Sequence, residues 1–145
     1  MPGTRYHSEI LGDDQECRRQ YFERMETCAA ACDLVFFDPD NGMEVKSKPS
    51  GRKRSSKYLY WDEVKRFSAL GKSLIVFQHF ARVKRDVFVA GLRERFGLEA
   101  GAGWIGVLTT SNVAYFVVPA PSHERALRDA CSSVCRRWHP HVRMA

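Results

Sequence analysis

Apolar residues along this chain keep two rhythms, one of helical period and one of short unbroken runs. After Asp13 and Glu16, spaced as in a capping box, Cys17, Tyr21, Met25, Cys28, Ala29 and Cys32 share a helical face and predict an amphipathic helix of roughly five turns. It leads into Leu34 to Phe37, four consecutive apolar residues that are too few for a helix and predict a strand buried on both faces. Within Tyr58 to Leu70, after Tyr58, Tyr60 and Trp61, a second helix is expected, with Asp62 and Glu63 in its first turn, Val64, Phe67 and Leu70 on its face, and Gly71 as its stop. Ser73 to Phe80 repeats the first strand's pattern, an apolar run turning polar at Gln78 and His79. Val83, Val87, Phe88, Leu92 and Phe96 then predict a third helix closed by Gly97. Trp104 to Thr110 and Val113 to Val118, split by Ser111 and Asn112, read as an antiparallel hairpin, and Ser122 caps a last helix to about Trp138.

Strand, helix, strand in succession implies a parallel pair. The order as a whole predicts an α/β fold, a partial Rossmann-like three-layer sandwich of about four main strands with that pair and a C-terminal antiparallel hairpin. With 145 residues, 44% of them hydrophobic, residues 1–145 suit a single domain. Open α/β sheets bind ligands beyond the carboxyl ends of their strands, which makes Asp38, Pro39, Asp40 and Asn41 the candidate site, with His79 in the same layer on the second strand.

Charge adds a candidate partner. The formal net charge is +6, and residues 47–57 carry five basic residues and no acidic one, with Pro49 and Gly51 as breakers. Lys46, Lys48, Arg52, Lys53, Arg54, Lys57, Arg82 and Arg85 are therefore candidates to hold nucleic-acid phosphates, the alternative being an ordinary solvated face. No apolar run approaches the roughly 18 residues of a membrane span, so no membrane partner and a cytoplasmic location are expected. Cys28 with Cys32, and Cys131 with Cys135 near His139 and His141, have spacings from which a zinc site can be drawn, but core packing is the preferred account. Gly101, Gly103 and Gly106 spell a dinucleotide-loop pattern that leads into a strand instead of opening a helix, and it is discounted.

A strand ending in Asp38-Pro39, a crossover to a second strand, a further helix and a terminal hairpin resemble the C-terminal half of the class I S-adenosylmethionine-dependent methyltransferase fold. The block from Asp33 to Gly42, with Lys57 to Glu63 and the strand ending Gln78-His79-Phe80-Ala81-Arg82, more specifically resembles a group of uncharacterised bacterial and phage proteins distantly similar to ribosomal RNA adenine N6-methyltransferases. The resemblance implies a methyltransferase-like site acting on or binding nucleic acid, with S-adenosylmethionine as cofactor. Two departures stand beside it. Asp40 and Asn41 occupy the places of a second proline and a base-stacking aromatic, leaving Tyr58, Tyr60 or Trp61 to supply a stack. No earlier strand with a glycine-rich turn supplies the cofactor-binding half, so the Leu34 to Phe37 strand would carry an open edge. That edge is expected to be covered by Arg5 to Leu11 folding back as a strand, by a second copy in a homodimer, or by a separate N-terminal half.

Two other classes remain at this point. Asp38, Asp40 and Glu44 at one strand tip, with Lys46 beside them, suggest a Mg2+-dependent nuclease, although only three residues separate Asp40 from Glu44. A non-catalytic nucleic-acid-binding or interaction module is the third reading, and plain turn chemistry at Asp40-Asn41-Gly42 also accounts for these residues.

Overall fold

The computed structural model describes residues 3–145. Its elements, in chain order, are α1 (Gln15–Ala29), β1 (Leu34–Phe37), α2 (Trp61–Ala69), β2 (Ser73–His79), α3 (Arg85–Ala100), β3 (Gly106–Thr109), β4 (Val113–Val118), α4 (Glu124–Arg137) and β5 (Arg143–Met144). The strands form one mixed sheet in the order β1-β2-β4-β3-β5. β1 and β2 are parallel, with Phe37 opposite Val76, and the hairpin enters the sheet through its second strand, β4, which pairs antiparallel with β2. The fold is thus α/β with one parallel pair and a terminal antiparallel hairpin, as expected. The two-residue β5, paired with β3, is an addition too short to leave a sequence pattern.

Strand alternation sorts the side chains onto two faces. Val35 and Phe37 of β1, Leu74 and Val76 of β2, Val107 of β3 and Ala114, Phe116 and Val118 of β4 face one core, closed by Phe22 of α1, Val64 and Phe67 of α2, and Val89 and Phe96 of α3. The opposite face is covered at its β3 side by α4, where Arg128 lies over Trp104 and that ring sits against Gly106. At the N-cap of α4, His123 meets Ser73. This cover stops short of β1. Leu34 and Phe36 are 42% and 53% exposed, so β1 is an edge strand buried on one face, in contrast to the doubly buried strand its apolar run predicts.

Nor do residues 5–11 form a strand along that edge; they lie against α1, through His7 on Tyr21 and Glu9 paired with Arg24. α1 itself is rotated from expectation. Its buried positions are Arg18, Phe22 and Ala29, Cys17 is exposed, and Cys32 falls beyond its end. Asp14 caps it by accepting from the amides of Glu16 and Cys17, which frees Asp13 for another task. α3 runs through Gly97 and ends at Gly101, whose left-handed φ of 64° terminates the helix without a Cβ penalty.

Candidate functional site

The strand-tip loop is built by backbone pairing. After Phe37 the chain turns at Pro39, whose carbonyl accepts from Gly42 N, and then runs beside residues 57–59: Asn41 N donates to Lys57 O, Leu59 N to Gly42 O, and Glu44 N to Leu59 O. Gln78 locks this loop to β2. Its Oε1 accepts from Met43 N at 2.7 Å and its Nε2 donates to the His79 carbonyl at 2.8 Å. Gly42, at φ 83°, lies so close to Gln78 that a Cβ would overlap its amide.

Beside the loop, at the carboxyl ends of the parallel pair, a cleft of about 210 Å³ opens between the loop and α3. Asn41, Glu44 and Tyr58 form one side, and Phe80, Phe88 and Leu92 the other. Asp38 is exposed on the same loop, and Asp40 is exposed and paired with Lys57 at 3.0 Å. His79 lines the cleft, but its ring packs edge-on to Phe77 at 4.7 Å, on the face opposite buried Gln78. Of the two residues at the tip of β2, Gln78 does the structural bonding and His79 keeps an exposed side chain.

Of the three aromatics expected to offer a stack, Tyr58 alone is placed for it. Tyr60 is buried, with its hydroxyl donated to Lys48 O, and buried Trp61 packs on Phe96 at 4.8 Å.

The carboxylates do not assemble as a metal centre. Glu44 is half-buried and faces Arg95 at 3.5 Å, and its pKa is raised because burial outweighs the pull of that guanidinium. Among the described residues no three His, Cys, Asp or Glu side chains are grouped to hold a metal ion. The Asp38, Asp40 and Glu44 set expected for Mg2+ is therefore not formed, because Asp40 and Glu44 are drawn to different cations. The cysteine pairs likewise form no such group.

The basic loop is anchored from outside itself. Asp13 accepts from the amides of Arg54 at 2.6 Å and Ser56 at 2.8 Å, and these bonds, the one to Ser56 foremost, hold its carboxyl down to about 2. Arg18, 4% exposed, donates to the carbonyls of Ser55 and Tyr58 while pairing with Glu63, and its guanidinium lies 4.6 Å above the Tyr60 ring. Glu63 also accepts from Tyr60 N at the start of α2. Its pKa is raised by burial despite Arg18. These anchors leave Lys46, Arg52, Lys53, Arg54 and Lys57 exposed around the strand tip, with Lys48 half-buried, and Arg82 and Arg85 exposed beyond β2. Arg18 was invisible to the spacing argument, since a charged residue is read as solvent-facing; its signal would have been the lone polar side chain at i−4 from Phe22.

Comparison with protein-family models, curated proteins and solved structures finds no match to this chain.

Proposed function

We propose that this chain is a nucleic-acid-binding domain on a methyltransferase-like half-fold, whose strand-tip cleft receives an unstacked base. The observation that carries this reading is the placement of Tyr58 and Asn41 at one cleft on the carboxyl ends of the parallel pair. A base taken out of its stack needs an aromatic face and hydrogen bonds to its polar edge. Tyr58 supplies the face, and the Asn41 amide supplies both a donor and an acceptor. Asp38, on the same loop, adds an acceptor for an exocyclic amino group. The +6 charge and the exposed basic residues on both sides of the cleft support a polyanionic partner.

The resemblance would add S-adenosylmethionine, and the residues present do not fit it. Its ribose and methionine ends would lie toward the outer side of β1, where the described residues offer an unpaired strand edge and the exposed Leu34 and Phe36. The proposed function is therefore binding without methyl transfer. The same reading has the β1 edge covered by a second copy of the chain.

Fluorescence anisotropy with a labelled single-stranded oligonucleotide tests the proposal. Tyr58→Ala is expected to weaken binding by about 1–3 kcal/mol, the worth of one base stack. Equal affinity for wild type, Tyr58→Ala and Asn41→Ala overturns the base site. A saturable heat on titrating S-adenosylmethionine would return the chain to the enzymes.

A further inference from the structure

A larger concavity adjoins the strand-tip cleft and shares Phe80 with it. It encloses about 810 Å³ between α3, the β3–β4 hairpin and residues 140–145, a volume typical of ligand sites. Arg85 and Arg93 of α3 and Arg143 of β5 line it, with Asp86 as the opposing carboxylate. Among the described residues Arg85 and Arg143 are in no ion pair, as is also true of Arg52, Arg54 and Arg82 around the strand tip. Arg93 donates through Nη2 to the Ala145 carbonyl, yet its Nε is buried without a partner. Such an unmet donor is costly, and an anionic oxygen would satisfy it. Arg85 lies 4.6 Å over the Phe80 ring, so charge and a flat π surface meet where the groove joins the cleft.

We propose that this groove holds the sugar-phosphate chain of single-stranded nucleic acid, running from a base seated at Asn41 and Tyr58, over Phe80, to Arg85, Arg93 and Arg143. The proposal rests on the reading of the strand tip as a base site. Arg85 and Arg93, eight residues apart, stand about 12 Å apart along their helix, too far to share one phosphate, so the two would meet different phosphates of the chain. The Arg85 plane laid over the Phe80 ring favours nucleic acid over an acidic peptide, because a base can stack on a guanidinium plane as on an aromatic one. Phosphate contacts of this kind set register, and the base in the cleft adds the local selectivity.

The test follows backbone amide shifts by NMR in the full chain on adding a single-stranded oligonucleotide, an abasic deoxyribose-phosphate chain of equal length, or polyglutamate. Both phosphate chains are expected to move the amides of Arg85, Thr110 and Arg143, and the oligonucleotide alone to move those of Asn41 and Tyr58. The double variant Arg85→Gln/Arg143→Gln, at two exposed positions, is expected to weaken oligonucleotide binding roughly tenfold and to lower the slope of log affinity against log salt by about 1.4. Groove amides unmoved by either phosphate chain, or moved as strongly by polyglutamate, overturn the proposal. Shifts in the groove with none at Asn41 and Tyr58 uphold the phosphate groove and sink the base site, with the path that starts from it.

Discussion

The amide of Met43 donates to Oε1 of Gln78 across 2.7 Å, tying the strand-tip loop to the neighbouring strand inside the protein. Both residues are buried, so the bond has no solvent substitute. Gln78→Leu leaves the amide unmet and is expected to cost about 1–3 kcal/mol in urea denaturation. Two glycines separate the parts of this junction. Gly42 and Gly71 both have positive φ, but a Cβ on Gly71 meets nothing within 4 Å. Gly71→Ala is expected to show the backbone cost alone, roughly 1 kcal/mol, and Gly42→Ala clearly more. Equal losses would mean that Gln78 yields freely.

Removing one side of the Arg18 and Glu63 pair strands a buried charge. Arg18→Met is expected to destabilise the fold by about 3–5 kcal/mol, and Arg18→Met/Glu63→Gln by less than the single variant. Thermal or urea unfolding of the two variants checks the order.

Asp13 sets a pH dependence of known sign. Its carboxyl is held at about 2 in the folded chain against an ordinary 3.8, so its contribution is present above the ordinary value and is lost as pH falls through the folded one. Asp13→Asn is expected to flatten the stability profile between those two values. The raised pKa of Glu63 acts oppositely, its ionisation costing stability as pH rises above the usual 4.5. An unaltered acid limb in Asp13→Asn would show that the loop is held by other bonds.

Asp38 is exposed on the strand-tip loop. Asp38→Ala is expected to keep stability within about 0.5 kcal/mol of wild type while weakening oligonucleotide binding. Loss of folding would make it a structural residue.

The edge of β1, with exposed Leu34 and Phe36, invites pairing with another chain. Light scattering at micromolar concentration is expected to report a dimer, and Phe36→Lys a monomer. A monomeric wild type ends that proposal.

The parallel pair and the hairpin were legible because Leu34 to Phe37, Leu74 to Phe77 and Val113 to Val118 are unbroken apolar runs that end in polar or turn residues. Whether such a run lies inside a sheet or at its edge depends on what packs beside it, so the exposure of Phe36 could not be read from the run. The strand tip was legible as a place, from Asp38 to Asn41. Which aromatic side chains it leaves exposed was not: Tyr58, Tyr60 and Trp61 look alike in sequence, and the start of α2 at Trp61 decides which of them are buried. Gly97 misled as a helix stop because α3 carries on through it, with an Arg95 and Glu99 pair spanning the position.

Arg18 and Asp13 together hold residues 54–58 from a helix start some forty positions away. The shape of the basic loop is therefore written outside the loop. Residues 47–57 grafted onto another scaffold would bring their charge and leave their conformation behind, and cutting the chain ahead of Gln15 would remove one of the two anchors without touching the loop itself.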